Sequence, residues 1–248
     1  MLPIVNIGPV AVPLPGLLLI VGVWLATLLL DKEASRINLS PETVTNLLLI
    51  GLIGGIVGAR IGYALRHLDV YLDSVLDIFA VNSAALSLSD GFIIGSLAAL
   101  IYGQRKELPL WPTLDALTPG IGLFSVFAGL SHLASGDAFG APTSLPWSIE
   151  LWGAERHPSQ LYEIVVALFV FWIVRRLKHA SVFPGFLALS FFGLSAASRV
   201  FLEAFRGDSE IVIGNIRSMQ LLGLLVLFLS LVGMHLLAKD ALNSKLNT

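Results

Sequence analysis

Leu14 to Leu30 reads LPGLLLIVGVWLATLLL and carries no charged side chain. A helix needs roughly 20 mostly apolar residues to cross the hydrocarbon core of a bilayer, so this stretch predicts a membrane span. Six further segments follow. Thr43 to Ala59 is uncharged and continues past Arg60 to Leu65, and Ala116 to Gly136, Ala180 to Ser198 and Ser218 to Ala238 are uncharged throughout. Leu86 to Gly103 holds Asp90. Leu161 to Val174 holds Glu163 and reaches spanning length if it starts near Pro158, since proline suits the first turn of a helix.

Composition points the same way. Of the 248 residues, 56% are hydrophobic and only 13% charged, against about 25% charged in soluble domains. The mean hydropathy is +0.84. These values exclude a disordered chain and almost any water-soluble enzyme. The net charge of -2 points to no polyanionic partner, so no nucleic acid is expected. The chain has no cysteine, which excludes disulfides, thiolate metal sites and a cysteine nucleophile. Met1 to Val10 lacks the positive region of a cleaved signal peptide, so the first span is expected to stay in the mature protein.

Placing the N-terminus outside puts Lys32, Arg36, Arg105, Lys106, Arg175, Arg176, Lys178, Lys239 and Lys245 on the cytoplasmic side. Arg66, Arg156, Arg206 and Arg217 fall outside, while Arg60 and Arg199 lie within spans. That bias obeys the positive-inside rule. Omitting the third span would move Arg175, Arg176 and Lys178 outward, against the rule. The expectation is an all-α membrane protein, a single polytopic domain over residues 1–248 with seven transmembrane helices and a cytoplasmic C-terminus. Residues 135–156 form a long outer-face loop in which Trp147 and Trp152 suit the headgroup level.

Ionisable groups inside a span are costly, and each marks a candidate site. Arg199, Glu203 and Arg206 follow i, i+4, i+7 spacing, which on a continuous helix keeps them within about 60° of one face. Such a stripe would bind an anionic headgroup, with Glu203 holding the arginines; the alternative is an ion pair that anchors a helix end. Arg60 and Tyr63 lie one turn apart on span two, and Arg60 would either meet a phosphate or snorkel to the surface. Gly51, Gly55, Gly58 and Gly62 form a small-residue stripe that suits helix packing.

His157-Pro158-Ser159-Gln160-Leu161-Tyr162-Glu163 opens span five with several hydrogen-bonding side chains. A helix N-terminus receives anions well, and His157 would act as donor, acid or base while Glu163 orients an arginine. A capping and anchoring role would use similar residues. His132, near the end of span four, reads either as a packed histidine or as a second acid/base candidate.

At these residues the chain resembles the prolipoprotein diacylglyceryl transferase family. The run from His157 to Glu163 is that family's most distinctive string. It is joined by Ile7-Gly8-Pro9-Val10, Gly58-Ala59-Arg60-Ile61-Gly62-Tyr63, Arg199-x-x-x-Glu203-x-x-Arg206 and Ser218-Met219-Gln220. The resemblance implies a seven-span enzyme of the bacterial inner membrane with its site toward the outer face. It implies transfer of the diacylglyceryl group of phosphatidylglycerol to the lipobox cysteine thiol in the signal peptide of a preprolipoprotein. A thioether forms and glycerol 1-phosphate leaves, with no metal or organic cofactor.

By the same resemblance, His157, Glu203 and Arg199 are catalytic candidates, and His132 and Asp137, five residues apart near the outer mouth, are candidates to substitute for motif residues the chain lacks. Arg60, Tyr63, Gly140, Ser159, Gln160, Tyr162, Glu163 and Arg206 are the substrate-binding candidates. The chain departs from the family pattern at Pro15, where a tyrosine is expected, and at Ser89, in place of a histidine. Gly129 replaces an arginine, His132 an asparagine and Asp137 a glutamate, whereas Gly140 is retained. Two alternatives stay open: a divergent relative acting on another acceptor or lipid, and a non-catalytic phospholipid-binding membrane protein. A transporter is disfavoured because the chain shows no internal duplication.

Overall fold

The computed structural model describes residues 4–7, 10–68, 86–180 and 182–246. Gly8 and Pro9 of the first motif lie outside them. Among the described residues there are seven long helices: α1 (Leu14–Arg36), α2 (Pro41–Arg66), α3 (Leu88–Arg105), α4 (Leu110–Ser135), α5 (Ser159–Leu177), α6 (Phe186–Leu202) and α7 (Ser218–Leu246). Five are long and apolar enough to cross a membrane, namely α1, α2, α4, α7 and α6 with the turn that follows it. α3 and α5, with 18 and 19 residues, are the other two. Three short antiparallel hairpins complete the described structure: β1–β2 (Ile4–Ile7, Val10–Pro13), β3–β4 (Ile149–Leu151, Ala154–Arg156) and β5–β6 (Ile211–Ile213, Ile216–Arg217).

The chain divides into two compact units, residues 34–113 and the remainder. In the smaller unit α2 starts on a capping Ser40, whose Oγ accepts from Thr43 N at 3.3 Å, with Pro41 in the first turn. The glycine stripe of α2 lies against α3. A methyl group at Gly95 would stand 2.6 Å from Gly51 O, so the two backbones touch where neither carries a side chain. Arg66 closes the end of this pair, donating to Asp90 at 2.7 Å and to Ser87 Oγ at 2.9 Å.

In the larger unit the helix ends sort into two layers. At one end Glu33 of α1, almost fully buried, accepts from Lys178 Nζ at 2.6 Å just beyond α5, with Arg175 3.7 Å away. Asp115 of α4 accepts from the backbone N–H groups of Gly185 and Ala188 at 2.7 and 2.9 Å. A carboxylate on a helix N-terminus satisfies donors that have no partner within the helix. That cap, with Gly185 in the left-handed region at φ 94°, starts α6 at Phe186 rather than at Ala180. Between the layers Val170, Val174, Leu187 and Phe191 form a buried apolar cluster with Ile121 of α4.

At the opposite end, Ser131 Oγ of α4 donates to Pro15 O of α1 at 3.1 Å, and Gln220 Nε2 of α7 donates to Val200 O of α6 at 3.2 Å. The start of α5 lies there too, because His132 of α4 meets Glu163 of α5. The candidate side chains of this unit gather at this end.

Candidate active site

The segment after α4, expected to be a loop over residues 135–156, is a hydrogen-bonded cap built around β3–β4. Trp152 Nε1 donates to Gly136 O at 3.0 Å, and Trp147 Nε1 donates to the Tyr162 hydroxyl at 2.8 Å. Arg156 donates to Leu151 O and Gly140 O at 3.0 and 3.2 Å, and its guanidinium lies 4.9 Å from the Phe139 ring centre. Sequence reasoning gave Arg156 no role beyond an outer charge. Its use here is to tie the cap together.

Pro158 sits at the N-cap position of α5, and the residues after it serve the cap. Ser159 Oγ donates to Ala138 O at 2.5 Å and Gln160 Nε2 donates to Asp137 O at 2.9 Å; both side chains are buried. The structure thus gives these two substrate-binding candidates protein carbonyls as partners. Gly140 presses on His157, whose carbonyl oxygen occupies the space a Cβ at 140 would need. The His157 ring stacks edge-on against Phe205 and Tyr162, with centres 5.2 and 6.2 Å away, and its Nδ1 is buried with no partner among the described residues. Asp137 is exposed at the edge of the cap.

α6 ends at Leu202, before the charged triplet is complete. Glu203–Phe205 is a single 3-10 turn, and Arg206 has extended backbone (φ −78°, ψ 145°). The reading of Arg199, Glu203 and Arg206 as one continuous helical stripe is therefore corrected. The cause is backbone pairing between Arg206 and Gly140: Ala141 N donates to Phe205 O and Gly207 N to Phe139 O, both at 2.8 Å. Those bonds to the cap replace the ones another helical turn would make.

Glu203 holds one arginine, not two. Its carboxylate is 0% exposed and lies 3.0 Å from Arg199 Nε, close enough for an ion pair although the angle is not that of a hydrogen bond. Arg206 turns to Asp208, donating through Nε at 2.9 Å and Nη2 at 2.6 Å. That bidentate fork occupies the guanidinium edge a phosphate would use. Arg217 Nη1 donates to Arg206 O from the other side. Asp208 was missed in the sequence, although its place two residues after Arg206 was the available signal.

Glu163 also has a partner other than the expected arginine. His132 Nδ1 lies 2.9 Å from Glu163 Oε2. One helical turn back, a Cβ on Gly129 would stand 2.9 Å from Ile164 Cγ1, so α4 and α5 meet where the family pattern has an arginine. Glu163 and Arg199 together head two openings. The larger, about 130 Å³, runs into apolar packing along Val166, Val170 and Phe191. The smaller, about 10 Å³ and shared with Tyr162 and Arg206, is the size of one water.

Arg60 and Tyr63 belong to the other unit, on α2, where Tyr63 stacks on His67 with ring centres 4.2 Å apart. Ser89 lies there too, with its Oγ 3.2 Å from Ser87 Oγ at the start of α3.

The family model described as prolipoprotein diacylglyceryl transferase matches residues 3–236. Proteins named phosphatidylglycerol–prolipoprotein diacylglyceryl transferase are similar along most of their length. The one from Clostridioides difficile (strain 630) is 29% identical over 210 residues, covering 85% of this chain and 84% of its own. That from Rhizobium meliloti (strain 1021) is 32% identical over 220 residues, with 82% and 78% covered. That from Trichormus variabilis is 29% identical over 252 residues, with 93% and 87% covered. With nearly its whole length matched, the chain belongs to the prolipoprotein diacylglyceryl transferase family.

Proposed function

We propose that this chain moves the diacylglyceryl group of phosphatidylglycerol onto the lipobox cysteine thiol of a preprolipoprotein. It is a multi-pass bacterial membrane protein. We infer further that all seven helices span the inner membrane as one domain, with the N-terminus outside and the site toward the outer face. The carboxylate–lysine cluster of Glu33 and Lys178 at the far end suits the cytoplasmic side.

The observation that carries the reading is Arg199, paired with a wholly buried carboxylate at the head of a cleft lined mainly by apolar side chains, with Ser125, Ser195 and Ser198 among them. In the reaction the thiol loses its proton, sulfur bonds to the glyceryl carbon, and that carbon's bond to the phosphate oxygen breaks. Glycerol 1-phosphate leaves with one more negative charge than the phosphodiester had. A preorganised cation is worth most where such charge develops. Arg199 is placed for that, with Glu203 fixing its guanidinium.

The thiolate is the nucleophile, so a base must take the thiol proton. His132 fits that task better than His157. Its Nδ1 is held by Glu163, and its side chain is 37% exposed at the end of the bundle. The His157 ring, by contrast, is packed into an aromatic cluster. Arg206, clasped by Asp208, holds the cap over the site.

The test is direct. Purified protein is given phosphatidylglycerol vesicles and a lipobox peptide. The peptide is expected to gain the mass of one diacylglyceryl group while glycerol phosphate appears in equal amount. A peptide left unmodified, beside a relative that modifies it, would overturn the assignment.

A further inference from the structure

Between Arg206 and α7 the chain forms the β5–β6 hairpin, whose residues 211–216 are all exposed. Ile211, Val212, Ile213 and Ile216 are 61, 54, 70 and 45% exposed. Ile211 pairs with Arg217 and Ile213 with Ile216, so Val212 is the extra residue of an irregularity in β5 and strict alternation of faces does not hold there. A hairpin against a protein, or in water, would keep one polar face. This one exposes an apolar side chain at each of positions 211, 212, 213 and 216.

The surface continues in both directions. Phe201, the last residue but one of α6, is 66% exposed, and Met219 and Leu222 in the first turns of α7 are 44 and 52% exposed. These residues belong to helices long and apolar enough to cross a membrane. The hairpin thus lies in the chain between two such helices whose nearest turns expose apolar side chains as it does. Its strands are short, and the unpaired edge groups of a two-stranded ribbon need polar partners, which headgroups and interfacial water supply and the bilayer centre does not.

We propose that the β5–β6 hairpin is a membrane anchor, inserted among the lipid headgroups and upper acyl chains at the end of the bundle that carries the site. Its base is fastened to that site. Ser218 N donates to Glu210 O at 3.0 Å, and Arg217 donates to Arg206 O, so the depth of the hairpin sets the depth of the Arg206–Asp208 clasp. The proposal rests on the membrane character of the chain and not on the transfer reaction.

Because the chain has no cysteine, single cysteines can be placed and labelled cleanly. Ile213→Cys and Val212→Cys, one at a paired position and one at the irregularity of β5, would carry an environment-sensitive fluorophore in phosphatidylglycerol-containing vesicles. Leu225→Cys on the exposed face of α7 and Glu150→Cys on β3 serve as lipid and water references. Both hairpin labels are expected to be roughly halved in emission by lipids spin-labelled near the head of the acyl chain, and little affected by iodide. If either label is quenched by iodide as strongly as the Glu150→Cys label, that position is in water and the anchor is refuted. If either is shielded from both quenchers, it is covered by protein, and the anchor is refuted equally.

Discussion

The imidazole of His132 and the carboxylate of Glu163 stand 2.9 Å apart, bridging α4 and α5 beside the cleft headed by Arg199. Glu163 is thus paired with a histidine and not with the arginine the sequence suggested for it. The family pattern has an asparagine at 132 and an arginine at 129; here a histidine supplies the contact from one turn further along α4.

If this dyad moves the thiol proton, His132→Ala should lower kcat by roughly 10²- to 10⁴-fold, the usual worth of a positioned base. Glu163→Gln should fall part of the way, because it keeps a hydrogen-bond acceptor but loses the charge. Binding of phosphatidylglycerol should be nearly unchanged in His132→Ala. Steady-state kinetics with lipid and peptide varied in turn separates the two effects.

The space at Gly129 leads to a second expectation. A side chain there meets Ile164 on the facing helix, so Gly129→Ala should destabilise by about 1–3 kcal/mol through overpacking. Gly129→Arg, which restores the family residue, should lower the melting temperature further and should not raise activity. Thermal unfolding in detergent, followed with the transfer assay, tests both.

Arg199 and Glu203 allow stability and function to be separated. Arg199→Ala strands a buried carboxylate, and breaking a buried pair costs about 3–5 kcal/mol. The cost here should be nearer about 2 kcal/mol, because the guanidinium is partly exposed and screened. Adding Glu203→Gln removes the stranded charge and should recover much of the melting temperature while leaving transfer lost. A double-mutant cycle on both readouts measures the difference.

Asp208→Ala should act through the cap. Without its bidentate partner the Arg206 fork is released, the tie between residues 139–141 and 205–207 loosens, and KM for the peptide should rise by several-fold. Asp208→Glu, with the same charge on a longer arm, should recover part of the loss. Kinetics at varied peptide concentration, with proteolysis of the cap as a structural readout, distinguishes this from a general loss of fold.

Helix positions were legible because hydropathy and charge are properties of single segments. α1, α2, α4 and α7 coincide with uncharged stretches that the bilayer requires to be helical. The end of α6 was not legible. Arg199, Glu203 and Arg206 have helical spacing, but the backbone of Arg206 pairs with Gly140, a partner more than sixty residues away in the chain. The uses of Ser159 and Gln160 were hidden for the same reason: their partners are carbonyls of Ala138 and Asp137, and a carbonyl has no signature in sequence. Family motifs name residues without stating which of them face a ligand and which face the cap.

The central claim is that the Arg199 guanidinium receives the phosphate of phosphatidylglycerol. Native mass spectrometry of the detergent-released protein, wild type beside Arg199→Lys and Arg199→Ala, measures retained lipid directly. Phosphatidylglycerol should stay with the wild type, weaken in Arg199→Lys, which keeps the charge but loses the fork, and fall at least roughly tenfold in Arg199→Ala. Equal retention by all three would place the phosphate elsewhere and contradict the account.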